Sequence, residues 1–111
     1  MAYDLDLANR VREQLADTDA VTERAMFGGL AFLIGGHMTV AVSGRGGLLL
    51  RVGPDGAAEA LSRPHARQAE MRGRAMSGWI RVAPEGVRTG RQLASWIRRA
   101  AGFAATLPPK R

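Results

Sequence analysis

The side chains of this 111-residue chain that could carry out chemistry are few and widely spaced. Cysteine is absent, which excludes disulfides, thiol nucleophiles and thiolate zinc sites. A serine nucleophile would need a histidine base within hydrogen-bond reach. The candidates are Ser43, Ser62, Ser77, Ser95, His37 and His65. His37 falls in a predicted hairpin turn and His65 follows Pro64, and neither has an acid or a second histidine three or four residues further on. We therefore expect no enzyme, no metal site and no cofactor.

The glycines and tryptophans have structural explanations. Glycine-rich stretches at 28–36 and 44–47 do not lie between a strand and a helix N-terminus, where glycines cradle phosphate, so we interpret them as turns. Trp79 and Trp96 could stack nucleic-acid bases, but both fall on predicted apolar faces. We expect them in the core or in an interface.

The charge is distributed unevenly along the chain. The net charge is +6, and residues 60–111 carry eleven basic residues against two acidic ones, a net of +9, whereas residues 1–30 have a net charge of −3. Clustered cations release counterions from phosphate, so nucleic-acid binding is one interpretation of the basic half. The asymmetry could equally orient a protein partner or a second copy of the chain.

A basic patch is predicted within the C-terminal half. Its members would project from one strand-loop-strand unit, and they are Arg67, Arg72, Arg74 and Arg81. Two interpretations remain open: a solvated basic face, or a surface for an anion, a nucleic acid or an acidic partner.

Hydrophobic periodicity predicts a single α+β domain over residues 1–111. The helices are predicted at 4–17, 54–64 and 89–108, and the strands at 30–34, 38–42, 48–52, 67–71 and 78–82. Segment 21–27 alternates only roughly, so it is either a short edge strand or an extended lead-in. The order is α-β3-α-β2-α, which favours a two-layer sandwich with the helices on one face of an antiparallel sheet.

The second face of that sheet is predicted to be an interaction surface. Strand 30–34 is apolar throughout, so a helix layer on one side would leave apolar side chains uncovered on the other. We expect a homodimer through the sheet or its edge. The chain has no run of 18 apolar residues, and its N-terminus is acidic where a signal peptide is basic, so we expect a cytoplasmic protein with no membrane segment.

Several segments closely resemble the N-terminal domain of the TfoX/Sxy family. They are RAMFGGLAF at 24–32, Met38, LRV at 50–52, and MSGW at 76–79 with Val82 and Pro84. The resemblance implies a bacterial, often dimeric protein with an α-β3-α-β2-α fold like that of secretion chaperones. Its best-known members regulate natural competence together with a transcription factor of the cyclic-AMP receptor type. Full-length regulators carry a second domain, whereas this chain stops at Arg111, so we expect a stand-alone domain.

The resemblance carries over signature positions and no catalytic residues. The signature positions, which are also the candidates for an interaction role, are Arg24, Met26, Phe27, Gly28, Gly29, Arg51 and Trp79. Turn formation explains the two glycines and packing explains Phe27 and Trp79. The two arginines lie beside apolar strands and need an acceptor, which we expect to be Glu23, Glu70 or a group outside the chain.

Two main functions follow as hypotheses, while a third, a small-molecule enzyme, would need an ordered ligand or a buried acid–base pair near Arg24 or Arg51. The first is a non-enzymatic regulatory or adaptor domain that binds another protein, such as a transcription factor, through its sheet face or basic half. The alternative is direct nucleic-acid binding by the segment after residue 60.

Overall fold

The computed structural model describes residues 3–26 and 28–109. Its helices are α1 (Leu5–Gln14), α2 (Pro54–Leu61) and α3 (Gly90–Ala104), with a short 3-10 helix at Pro84–Val87. Its strands are β1 (Val21–Met26), β2 (Gly29–Ile34), β3 (His37–Val42), β4 (Leu48–Arg51), β5 (Ala66–Met71) and β6 (Arg74–Val82). Over the described ranges, no helix has the length and apolar character needed to cross a membrane.

The six strands form one open antiparallel sheet in the order β1-β2-β3-β4-β6-β5. The predicted α+β class is confirmed, with one strand more than the predicted α-β3-α-β2-α order. Val21–Met26 pairs with Ile34–Gly29 along its whole length, so the edge-strand interpretation of that segment is the one observed. Its alternation is weak because four of its six residues are exposed at the edge.

The helices cover one face of the sheet. Leu7 and Val11 of α1, and Trp96 and Ile97 of α3, belong to the same buried cluster as Phe32 of β2. A second, smaller cluster on the other face is built from Ala31, Leu33 and Ala41, and no helical residue joins it among the parts of the chain that the structure describes. The predicted two-layer arrangement with helices on one face is therefore present.

Local capping sets where the helices begin. Asp4 accepts a hydrogen bond from the Leu7 amide at 3.1 Å, and Thr89 forms a reciprocal capping box with Gln92 at the start of α3. The last helix ends at Ala104, before the predicted 108, and the Thr106 hydroxyl donates to the Phe103 carbonyl oxygen at 2.6 Å. Such a side-chain bond competes with helix continuation.

The β5–β6 connection differs from its prediction. The loop expected at 72–77 is a two-residue turn at Arg72 and Gly73, with φ angles of 54° and 78°. Two positive φ angles are typical of the tight hairpin turn whose twist matches the strands. The hairpin is therefore longer than predicted, and β6 begins at Arg74.

Candidate interaction surface

One row of paired residues crosses all six strands on the face that carries no helix. In sheet order its members are Arg24, Ala31, Ala41, Leu49, Arg81 and Arg67. Directly opposed residues of neighbouring antiparallel strands project from the same face, so these six side chains share a surface. We call them the cross-strand row. Its centre is apolar, and arginines stand at both ends.

A groove of about 680 Å³ lies over the middle of this row. Ala41 and Leu49 line it, and the apolar residues around them include four of the five methionines of the chain. These are Met26, Met38, Met71 and Met76. Methionine is flexible and polarisable, and surfaces rich in it adapt to different apolar partners. We call this feature the Met-lined groove.

The charged side chains of the Met-lined groove are mostly positive. Arg45, Arg72 and Arg81 line it together with a single acid, Glu70. Met71, beside Glu70, is 48% exposed and so presents apolar surface at the rim. An apolar floor with a basic rim fits a ligand that is apolar in the middle and acidic at its edges.

Arg81 is the most unusual of these cations. It is half-buried, and its Nη1 donates to Ser43 Oγ at 3.0 Å. Burial lowers the pKa of Arg81, and the positive charges of Arg45 and Arg67 lower it further. Within the described ranges no carboxylate forms an ion pair with it. Three cations therefore converge without an internal counter-charge.

The turn between β3 and β4 holds this arrangement in place. A Cβ on Gly47, whose φ is +71°, would overlap the Val82 carbonyl oxygen, so only glycine lets the turn approach β6 this closely. Ser43 Oγ accepts the Arg45 amide at 3.0 Å within the same turn. Backbone packing thus brings Arg45 to Arg81 despite their repulsion.

Arg81→Gln is expected to stabilise the isolated domain, because it removes a half-buried cation that faces two others. We expect the unfolding midpoint to rise by about 2 to 4 °C, the shift produced by roughly 0.5 kcal/mol in a domain of this size. Thermal unfolding followed by circular dichroism measures it, with Arg98→Gln, at an exposed helical arginine, as the control. A lower midpoint for Arg81→Gln alone would show that the Ser43 hydrogen bond outweighs the repulsion.

The paired glycines of the signature have different environments. Gly28 is exposed with a φ of +76°, and a Cβ there would meet nothing within 4 Å. Gly29 is buried, and a Cβ there would overlap the Val42 carbonyl oxygen. Of the neighbouring signature residues, Met26 lines the Met-lined groove, whereas Phe27 lies outside the described residues.

Arg24 and Arg51 do not pair with the predicted internal acceptors. Glu23 instead pairs with Arg12 at 2.7 Å, an interaction that lowers the pKa of Glu23. Arg24 is exposed at one end of the cross-strand row, and its side chain makes no hydrogen bond within the described ranges. Its neighbour in sequence is unsuitable because consecutive strand residues point to opposite faces.

Arg51 has aromatic partners. Its guanidinium carbon lies 5.8 Å from the ring centroid of Trp79 and 5.2 Å from that of Phe103. Cation–π contacts at this distance stabilise an arginine without a carboxylate. Trp79 is half-buried and pairs with Arg51 across β4 and β6. Through Trp79 and Phe103, Arg51 connects the end of β4 to β6 and α3.

The predicted basic patch is divided by the fold. Arg81 and Arg72 line the Met-lined groove, and Arg67 lies opposite Arg81 at the edge of the cross-strand row. Arg74 is exposed at the start of β6 and does not line the Met-lined groove. Sequence patterns missed Arg45, because its approach to Arg81 depends on packing between distant segments.

The histidines and acids do not gather into a reactive site. His37 Nε2 lies 2.6 Å from the Pro108 carbonyl oxygen, whereas His65 lies near Arg67 in a second cavity. In the ranges 3–26 and 28–109, no three histidine or acidic side chains are grouped as metal ligands would be.

Comparison with known proteins gives one match. The family model described as TfoX N-terminal domain matches residues 13–104 of the chain. No curated protein and no solved structure shows a significant match. The matched range contains the whole cross-strand row and all four methionines of the Met-lined groove.

Proposed function

Because the chain belongs to the TfoX N-terminal domain family, we propose that it is a cytoplasmic, non-enzymatic regulatory domain of the competence-related type that acts by binding a partner protein. The binding surface is the Met-lined groove. The observation that carries this proposal is the cross-strand row, in which an apolar centre on an uncovered sheet face ends in arginines on both sides.

The row indicates the chemistry of the partner. Arg24 and Arg81 are four strand spacings apart, roughly 19 Å at about 4.8 Å per strand. An amphipathic helix rises about 1.5 Å per residue, so acids about 13 residues apart would reach both arginines while apolar residues between them cover Ala41 and Leu49. A transcription factor carrying such a segment is the partner class that the family suggests.

A second copy of the chain fits the groove less well than an acidic partner. Face-to-face stacking would place the arginine-bearing ends of the cross-strand row against arginines of the other copy, and like charges across an interface are unfavourable. The homodimer predicted from the sequence remains a prediction. A monomeric mass by light scattering at micromolar concentration would exclude it.

Nucleic-acid binding is the second candidate, supported by the exposed Arg72 and Arg74 at the β5–β6 turn and by the net charge of +9 after residue 60. Titration of labelled duplex at rising salt separates the candidates. Phosphate contacts require a steep negative slope of log K against log salt. A response without any shift would exclude this candidate and leave the protein-binding one.

Site-specific photo-crosslinking in the native host tests the proposal. A photoreactive residue replaces Leu49 in the Met-lined groove, and a matched one replaces Leu61 on α2, which is 36% exposed. We expect a protein adduct from position 49 alone. The crosslinked segment of the partner should be an amphipathic helix that carries both apolar and acidic residues. Adducts of equal yield from both positions, or a basic segment at the crosslink, would contradict the proposal.

Arg24→Gln is expected to lower the affinity for the crosslinked partner about fivefold. The substitution removes the charge at one end of the cross-strand row and leaves the apolar floor intact. Arg74→Gln is the matched control, since Arg74 is equally exposed but outside the row and the groove. Isothermal titration calorimetry measures both variants. Equal losses would indicate long-range attraction and no specific contact at Arg24.

A further inference from the structure

A second cavity of about 380 Å³ shares Arg45 and Arg81 with the Met-lined groove but is otherwise formed by different residues. Its remaining walls come from the start of β5, with His65 and Arg67, and from the segment at the end of β6. We call it the arginine cavity. Among the residues that the structure describes, no aspartate or glutamate lines this cavity.

Three arginines therefore line one small space. Arg67 and Arg81 are directly opposed on neighbouring strands, and the β3–β4 turn adds Arg45 from the side. Like charges directly opposite each other in a sheet are unfavourable, so an anion from outside would relieve the repulsion between them. The cluster is held by backbone packing and not by an internal carboxylate.

The hydrogen-bonding capacity of these groups is largely unused. Arg81 donates only through Nη1, to Ser43 Oγ, and the side chains of Arg45 and Arg67 have no acceptor within residues 3–26 and 28–109. Each guanidinium carries five N–H donors in a planar fork that matches phosphate oxygens. Ser43 fixes the position of one nitrogen of Arg81 and leaves the others available.

We propose that the arginine cavity binds the phosphate group of a small phosphorylated molecule. A carboxylate carries one charge and satisfies one guanidinium fork, whereas a phosphate carries close to two charges at neutral pH and has oxygens for several. The cavity is larger than a phosphate group, which leaves space for an attached group. The arginine cavity shares Arg45 and Arg81 with the Met-lined groove, but binding of the phosphate group itself needs no partner protein.

Thermal unfolding in sodium phosphate and in sodium chloride of equal ionic strength tests the proposal. The proteins are the wild type, Arg67→Gln and the control Arg98→Gln. Arg67 is exposed and lines the arginine cavity but not the Met-lined groove, so its replacement should leave the fold intact. We expect phosphate to raise the unfolding midpoint of the wild type and the control above the chloride value, because a ligand that binds only the native state stabilises it.

Isothermal titration calorimetry with inorganic phosphate, adenosine monophosphate and adenosine gives affinities. The expected loss for Arg67→Gln is about tenfold, as for removal of one charge-assisted contact. Tighter binding of the nucleotide than of phosphate would show that the cavity also contacts the attached group, and equal binding would make the phosphate group the whole ligand. Identical phosphate responses in wild type and Arg67→Gln, or no heat with either phosphate compound, would overturn the proposal.

Discussion

Replacing Gly29 by alanine is expected to destabilise the domain by about 3 kcal/mol, whereas the same change at its neighbour Gly28 is expected to cost about 1 kcal/mol. A Cβ on Gly29 would overlap the Val42 carbonyl oxygen, which is backbone and cannot rotate away. Relief requires β2 and β3 to separate where Leu30 pairs with Val42. The cost comes from overpacking and not from an unusual φ angle.

The smaller cost at Gly28 has a different origin. Its φ of +76° is unfavourable for alanine, but nothing lies within 4 Å of the added carbon. The left-handed conformation costs alanine about 1 to 2 kcal/mol, and part of this is offset because alanine restricts the unfolded chain. The two adjacent glycines of the signature therefore have separable roles.

Urea denaturation of both variants measures the difference, with the fluorescence of Trp79 and Trp96 as the probe. The slope of the free energy of unfolding against urea should match the wild-type value, so that the midpoints report stability alone. Equal midpoints for the two variants, or a larger loss for Gly28→Ala, would contradict the close approach of β2 to Val42.

Leu49→Glu is expected to lower the affinity for the crosslinked partner about 100-fold, equivalent to about 2.7 kcal/mol of binding free energy. Leu49 lies between Ala41 and Arg81 in the cross-strand row. Glutamate there removes apolar floor from the Met-lined groove. Its carboxylate also neutralises Arg81 and repels an acidic ligand.

Two further variants distinguish a loss of partner binding from a folding defect. Leu61→Glu makes the same chemical change on α2, outside the groove, and should bind the partner with wild-type affinity. Met71→Glu places a carboxylate in the groove at a side chain that is already 48% exposed, so the fold should tolerate it while the partner loses about tenfold in affinity. Wild-type affinity for both Leu49→Glu and Met71→Glu would exclude the groove as the binding surface.

The elements that were predicted well are those set by local sequence. The start of α3 next to Thr89 and its buried stripe of Leu93, Trp96, Ile97 and Ala100 depend on residues within a few turns of each other. The TfoX family resemblance, carried by short motifs, is confirmed by the family match over residues 13–104. The start of α2 was also predicted correctly, because Pro54 is pre-organised for a first helical turn.

The features missed depend on segments that are distant in sequence. Ser43 and Arg81, which meet through a hydrogen bond, are 38 residues apart, and no periodicity relates them. The exposed position of Arg24 at the end of a row became visible only once the register of six strands was known. Of the acceptors predicted for Arg24, Glu23 lies on the opposite face and pairs with Arg12, whereas a group outside the chain stays a prediction.

The Met-lined groove depends both on local sequence and on the packing of segments that are distant in sequence. Met26, Met38 and Met76 were recognised as signature residues, but the turn of the β5–β6 hairpin was predicted too broadly, so Met71 and Met76 were not placed beside Met26 and Met38. The positive φ of Arg72, a non-glycine residue, explains the error, because arginine gives no signal for a tight turn.

Methyl NMR of protein labelled at its methionine and alanine methyl groups tests the central claim most directly. The partner segment found by crosslinking at position 49 is added as a synthetic peptide, and the methyl resonances of the chain are followed. The expected result is that Met26, Met38, Met71 and Met76 shift together and saturably, while alanine methyls of α2 do not move. Binding of the peptide with these four methionine resonances unchanged would contradict the assignment of the Met-lined groove as the interaction surface.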